Sequence, residues 1–291
     1  MKKGYLYAAI SIFCWSTVAT VTKLLLTSLN NFQLLWVSSF FAALFLFFIN
    51  LFTGKLKKLK EYSIKDFVIS ILIGLPGTFF YYIFYYFGAS QMNASEAFII
   101  NYLWPIMSVV FAIIILKDKL NFRKALAILL SFSGIIIIML GKQQGEASSN
   151  FILGAISCIL GAVSYGAFTA LNRKYTYDKS LSMMNNYTLT FILTTIINGV
   201  MGNLFVPTPI QALGMAWNGM FTMAVPSVLW ILALQLGKTE KISNLAYITP
   251  FLSTIWVVLF LHDKLSPYYI IGFIVIICGI LIQLKKEKNT K

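Results

Sequence analysis

Charge is what this sequence has least of. Only 11% of its 291 residues are Asp, Glu, Lys or Arg, against about a quarter in soluble domains, while 59% are hydrophobic. A soluble chain of this length could not bury so much apolar surface, so the composition implies an integral membrane protein. Acidic residues number nine, and none falls near the middle of an apolar run, where proton relays usually place one. The single histidine, His262, stands at the end of a run and reads as an end-of-helix polar residue rather than a proton switch. Cys14, Cys158 and Cys278 sit singly in distant apolar runs, which gives neither a disulfide framework nor a zinc site. Walker loops, nucleophile elbows and metal-ligand clusters are missing as well. We therefore expect no catalytic residues, no metal and no cofactor, and a chain that is not an enzyme.

The basic excess, a net charge of +14, suggests a nucleic-acid partner until its placement is considered. The lysines and arginines lie in short clusters between apolar runs, which is a topology signal and argues against nucleic acid. The first run is uncharged from Gly4 to Thr22, longer than the ~7–15 apolar residues of a signal peptide, and reads as a retained first helix.

Ten apolar spans follow one another, at about 5–26, 32–52, 65–88, 93–115, 122–141, 150–171, 183–205, 212–236, 241–261 and 267–284. Most hold the ~20 residues that a helix needs to cross the hydrocarbon core. Placing the N-terminus in the cytoplasm puts twenty of the 23 lysines and arginines on that side, so both termini are expected to be cytoplasmic.

The chain is also written twice. Gly74 to Gly141, moved forward 145 residues without a gap, lies on Gly219 to Lys286. Gly74 meets Gly219, Tyr102 meets Tyr247, Pro105 meets Pro250, and Asp118-Lys119-Leu120 meets Asp263-Lys264-Leu265. His262 falls opposite Lys117. Each copy holds five spans, an odd number, so the second must enter the membrane inverted. The fold class expected is an all-α integral membrane protein of ten transmembrane helices, arranged as two inverted-topology five-helix repeats, 1–145 and 146–291. Towards the start of the halves the match loosens; there Trp15 with Lys23 can be set against Tyr165 with Arg173, at an offset of 150, whereas Ala9-Ile10-Ser11 matches Ala155-Ile156-Ser157 at an offset of 146.

Inverted repeats place a small-molecule site near the midplane, at interrupted helices in corresponding positions. Two candidates for gating interruptions are Pro105 and Pro250, each behind a tyrosine. Proline removes one helical hydrogen bond and frees a carbonyl; a kink that serves packing alone is the other reading. Around the first lies Asn101-Tyr102-Leu103-Trp104-Pro105. Asn101 is either a helix–helix tie or a substrate ligand. The preceding span carries Tyr81, Tyr82, Tyr85 and Tyr86. Tyr81 lies deep enough to favour the cavity, whereas Tyr85 and Tyr86 fit the cavity and an interfacial aromatic belt equally. With the halves facing each other, Tyr81, Tyr85, Asn101, Tyr102 and Trp104 would meet Trp230 and Tyr247. Such an aromatic wall suits an aromatic or amphipathic solute, or an organic cation. Ala162, Gly166 and Ala170 form a small-residue stripe that admits a close neighbour.

The duplicated order of spans, paired prolines and acidic–basic pairs resembles the EamA family of the drug/metabolite transporter superfamily. The Tyr81–Tyr85 and Asn101–Pro105 runs are most similar to its bacterial aromatic amino acid exporters, the YddG type. That resemblance implies a secondary transporter of the cytoplasmic membrane, exporting small metabolites such as amino acids, with Tyr81, Tyr85, Tyr102 and Trp104 around the substrate. It also implies that choline-like cations are an alternative cargo. From another class, a channel or a lipid scramblase remains open. The expected partners are a small-molecule substrate and the lipid bilayer, with the chain a monomer or weak homodimer.

Overall fold

The computed structural model describes residues 2–142, 149–175, 177–236, 245–246 and 248–284. Among these, every regular element is helical and none is a strand. Backbone groups in hydrocarbon have no water to bond, and a helix satisfies them within itself.

Helices α1 (Lys2–Ser16) and α2 (Val18–Leu25) form one rod with a break at Thr17. There the hydroxyls of Ser16 and Thr17 turn back onto the carbonyls of Phe13 and Cys14, at 2.7 and 2.8 Å. Helix α3 (Asn31–Phe52) starts on a reciprocal cap between Asn30 and Gln33. Helices α4 (Ile64–Leu75) and α5 (Tyr81–Gln91) are joined through a π-helical turn at Pro76–Phe80. Helices α6 (Ala94–Asn101) and α7 (Trp104–Leu116) are separated by a two-residue turn, and α8 (Phe122–Lys142) follows. Then come α9 (Ser149–Lys174), α10 (Lys179–Val200) and α11 (Pro209–Trp217). A second π-helical turn, Asn218–Ala224, leads into α12 (Val225–Leu236). Helices α13 (Ile248–Leu261) and α14 (Pro267–Leu284) complete the described elements.

Among the described residues, six helical segments are long and apolar enough to cross a membrane: Lys3–Leu25, Asn31–Phe52, Ile64–Gln91, Ala94–Leu116, Asn150–Lys174 and Pro209–Trp230. Ile248–Leu261 and Pro267–Ile282 are shorter apolar helices. The sequence expectation of 183–205 for the seventh span is corrected to Lys179–Val200. Asp178 caps this helix by accepting from the amides of Ser180 and Leu181. At the far end Gly202 turns the chain with φ +66°, a conformation that glycine adopts without steric cost.

The duplication reappears as geometry. Lys117 and His262, 145 residues apart, are the non-glycine residues with positive φ (58° and 55°) among those described. Lys117 ends α7 in the left-handed conformation, and the Asp118 amide bonds the Ala112 carbonyl at 3.2 Å, the closure expected of such an end. Helix α8 packs most extensively on α14, and there the contacts are reciprocal. A Cβ on Gly134 would stand 2.6 Å from the Gly272 carbonyl oxygen, and one on Gly279 2.9 Å from that of Ala127. Since Gly134 and Gly279 are equivalent, as are Ala127 and Gly272, one contact is the other viewed from the opposite half.

Helix α10 buries a polar stripe that sequence reading missed. Ser182, Asn186, Thr190, Thr194 and Asn198 recur every fourth residue, and all are buried. Three of them find partners in the opposite half: Ser182 shares a hydrogen bond with Ser70 at 2.7 Å, Asn186 donates to the Ser70 carbonyl at 3.1 Å, and Thr190 donates to Thr78 at 3.3 Å, while Thr194 and Asn198 donate to carbonyls of α10 itself. Asn186 lies directly on Gly74, where an added Cβ would fall 2.0 Å from its Cγ.

Candidate functional site

Pro105 lacks the amide that would bond the carbonyl of Asn101, four residues earlier. Helix α6 accordingly stops at Asn101, and α7 restarts at Trp104. The Tyr102 amide still reaches the Phe98 carbonyl (2.9 Å), and the Leu103 amide closes a tighter turn on Ile100 (3.2 Å). This break splays Asn101, Tyr102 and Trp104 around one cavity. Across from it, the π-helical turn at Pro76–Phe80 adds a residue to the turn. Everything after it is thereby rotated by ~100° relative to an unbroken helix.

The cavity measures about 80 Å³ and is lined from the first half by Trp15, Val18, Tyr81, Tyr82, Phe98, Asn101, Tyr102 and Trp104. From the second half come Tyr165, Thr222, Ala246 and Thr249. Asn101 donates from Nδ2 to the Tyr81 hydroxyl at 3.0 Å. The Tyr102 hydroxyl donates to the Ala246 carbonyl, also at 3.0 Å, and so ties the halves across the opening. The Tyr165 ring lies 4.8 Å from that of Tyr81 and 5.1 Å from that of Trp104. Among the described residues, no charged side chain lines the space. Asn101 Oδ1 and Thr249 Oγ1 are buried without a hydrogen-bond partner. An unpaired buried acceptor or hydroxyl costs free energy until a donor arrives. The chemistry on offer is therefore ring faces, hydroxyls and one free amide oxygen.

Not every candidate lies at this cavity. Tyr85 is almost fully buried and stacks behind Tyr81, with ring centroids 6.1 Å apart and planes 9° apart. It is absent from the lining and turned inward rather than to the outer surface. Tyr86 is likewise internal, its hydroxyl accepting from Asn218 at 2.6 Å, so the aromatic-belt reading of the pair is corrected. Both stand behind Tyr81 and Tyr82 because α5 is enclosed by α9, α3, α6 and α2. Trp230 packs its ring 5.4 Å from Trp15 and supports the lining from behind. Pro105 and Pro250 are both buried in the first turns of α7 and α13. Tyr247 lies outside the described residues.

Trp15 and Tyr165 are the lining residues that sequence reasoning left out. The two fall at matching places in the first spans of the halves at an offset of 150, one of the two alignments open there. Thr222 and Thr249 carried no such signal, being ordinary threonines in apolar helices.

Polar contacts join the helices around the cavity at both of their ends. At one end Lys23 donates to the carbonyls of Ala89 and Met92, at 2.9 and 2.6 Å. Beside it, Asp263 accepts from the amide and hydroxyl of Ser95, at 3.2 and 3.0 Å. At the other end its repeat counterpart, Asp118, faces Lys124 at 3.9 Å and Arg173 at 4.0 Å. A larger groove of about 660 Å³ runs between α2, α11 and α13. It opens beside the exposed side chains of Leu24, Ile210 and Phe260, and lacks the convergent polar groups of the smaller cavity.

The EamA-like transporter family model matches this sequence twice, over residues 2–140 and 152–284. The chain belongs to the EamA-like transporter family. Its match covers both sides of the cavity, in the order that the duplication requires. Among individual relatives, an uncharacterized transporter of Clostridium kluyveri is 23% identical over 99% of this chain and 95% of its own length. The uncharacterized transporter YojE of Bacillus subtilis is 28% identical over 100% of this chain and 97% of its own. The aromatic amino acid exporter YddG of Salmonella typhimurium is 23% identical over 67% of this chain and 69% of its own. A crystal structure sharing 18% of its residues superposes with a TM-score of 0.69, covering 97% of this chain and 96% of that one. That likeness establishes the fold, in keeping with a multi-pass membrane protein.

Proposed function

We propose that this EamA-like transporter is a secondary carrier of the cytoplasmic membrane that exports small amphipathic metabolites, foremost amino acids with aromatic side chains. In this reading it crosses the membrane ten times, as two inverted halves, 1–145 and 146–291, with both termini in the cytoplasm. The reciprocal contact of Gly134 and Ala127 with Gly272 and Gly279 supports that arrangement.

The observation that carries the reading is the aromatic, uncharged cavity at the junction of the halves. Trp15, Tyr81, Trp104 and Tyr165 supply ring faces from both. Asn101 Oδ1 and Thr249 Oγ1 supply unsatisfied polar atoms against which an ammonium or amide N–H would be stabilised. The relatives named as aromatic amino acid exporters point to the same solute class. A volume of about 80 Å³ is well below the ~300–1,000 Å³ of ligand pockets. The conformation seen is contracted, and loading requires α6–α7 and α9 to part. The tie from Tyr102 to Ala246 is the contact that must break first, since it bridges the halves at the cavity wall.

The experiment is thermal stabilisation of the purified protein by tryptophan, phenylalanine, methionine, threonine and choline, followed by flux into liposomes. A ligand that binds the folded state at a hundred times its Kd adds ~2.7 kcal/mol. Aromatic amino acids should raise the melting temperature and show saturable flux with trans-acceleration, and Trp104→Ala should weaken both. A shift with choline alone would assign the ring-lined space to cations through their quadrupoles. Linear, non-saturating flux would make the chain a channel or scramblase and end the carrier reading.

A further inference from the structure

Two hairpins at one end of the molecule carry a charge excess that the cavity does not use. After α3, Gly54 (φ +70°) turns the chain into the short 3-10 helix Lys55–Glu61, whose Leu56 and Leu59 pack on the core. With Leu56 and Leu59 facing inward, Lys57 and Lys60 are exposed, and Lys65 is exposed just beyond. The second hairpin, between α9 and α10, adds Arg173, Lys174 and Lys179, all exposed. Asp178 locks the two together, at 3.2 Å from Lys55 and 3.6 Å from Lys58, and the rings of Tyr62 and Tyr177 lie 6.4 Å apart beside them. The two hairpins hold eight cationic side chains and three carboxylates of their own, and Arg173 also faces Asp118 at 4.0 Å. Of the hairpins' own carboxylates, Asp66 is engaged by its cap on Ser63 and Asp178 by Lys55 and Lys58. Among the described residues, Lys57 and Lys60 have no carboxylate within ion-pair distance, and Lys65 is adjacent to Asp66 and acts on it only through its charge.

We infer that this double hairpin is a binding site for the headgroup of an anionic phospholipid. Positive-inside topology accounts for lysines in these loops, and the ends of two membrane-spanning segments, Asn31–Phe52 and Ile64–Gln91, stand immediately beside them. Phe52 and Ile64, on either side of the lysine turn, are 82% and 84% exposed. Large apolar side chains so exposed beside a cationic cluster suit a ligand that is anionic at its head and apolar immediately behind it. A soluble phosphate would use only the lysines; a phospholipid uses both. Juxtamembrane lysines are drawn to anionic leaflets through the same electrostatics. The site is independent of what the central cavity carries.

The test uses the full chain in detergent, with melting temperature read against added phosphatidylglycerol, phosphatidylcholine and inorganic phosphate. Phosphatidylglycerol should raise the melting temperature, while phosphatidylcholine and phosphate should not, and the rise should shrink at high salt. The variant Lys57→Gln/Lys60→Gln/Lys65→Gln changes only exposed side chains, so it should melt like wild type without lipid. Its affinity for phosphatidylglycerol should fall on the order of a hundredfold. A second variant, Phe52→Ser/Ile64→Ser, should also lose part of the rise. Equal stabilisation by phosphatidylcholine, equal stabilisation by phosphate, or an undiminished rise in the lysine variant would each overturn the proposal.

Discussion

Gly166 is the position where one methyl group tests the packing around the cavity. It lies in α9 one residue from Tyr165, between Ala162 and Ala170, both of which are fully buried. A Cβ there would stand 2.4 Å from Met107 Cβ, 2.6 Å from the Met107 carbonyl carbon and 2.9 Å from the Ser108 amide nitrogen. Two of these three atoms are backbone, so no side-chain rotation relieves the contact, and α9 must move away from α7. Overpacking of this kind costs ~1–3 kcal/mol. Replacing glycine by alanine inside a helix returns ~0.5–1 kcal/mol, which leaves a net loss of about 1 kcal/mol. Gly199 in α10 is the control, because its nearest neighbour to an added Cβ is Leu204 Cδ1 at 3.8 Å, an ordinary contact. In thermal melts of the purified variants, Gly199→Ala should match or exceed wild type and Gly166→Ala should fall a few degrees below it. If Gly166→Ala is as stable as Gly199→Ala, the close approach of α9 to α7 is wrong, and with it the placement of Tyr165 against Trp104.

Other expectations follow from single contacts. Asp263→Asn weakens the acceptor for the Ser95 amide and hydroxyl; it should increase labelling of a cysteine placed at Asn101 by a reagent added from that end, and unchanged labelling would remove Asp263 from any closing role. Asp178 is pushed up by burial, but the Lys55 hydrogen bond, the Leu181 amide and the charges of Lys55 and Lys58 outweigh this and hold its carboxyl below the usual range. A depressed carboxyl stabilises the fold above its unfolded value near 4 and loses that contribution as pH falls through its folded value. Asp178→Asn should therefore lower the melting temperature at pH 7 and cease to matter in strong acid; a difference that grows on acidification would contradict the sign. Asn186→Leu places an apolar branch where Gly74 leaves no room and strips Ser70 and Ser182 of a donor, so it should destabilise by ~2–4 kcal/mol, read as lost monodisperse yield beside Asn185→Leu.

How far the sequence alone reached is clearest at matched positions. The repeat at 145 residues was a statement about spelling, and it became the shared left-handed ends at Lys117 and His262 and the reciprocal glycines of α8 and α14. A positive φ and a close backbone approach are demands made on single residues, so they leave marks in the residues themselves. Membrane character was equally plain, since apolar content adds up along the chain whatever the fold. The break before Pro105 needed only the missing amide of proline.

What surrounds the cavity was decided in three dimensions. Tyr81 and Tyr85 share a helix face, and depth alone favoured the cavity for Tyr81 while leaving Tyr85 open; Tyr81 lines the cavity and Tyr85 is sealed behind it, because α9 covers that face at the level of Tyr85. Asn186 and Thr190 gained a role only when Ser70, Thr78 and Gly74 were brought against α10 from the other half. Trp15, Tyr165, Thr222 and Thr249 meet across separations of up to about two hundred residues, and no local pattern encodes such a meeting. Periodicity and composition determine which residues can leave water and enter a membrane. Which of them then face each other depends on how the helices pack, and packing is settled by contacts between residues far apart in the chain.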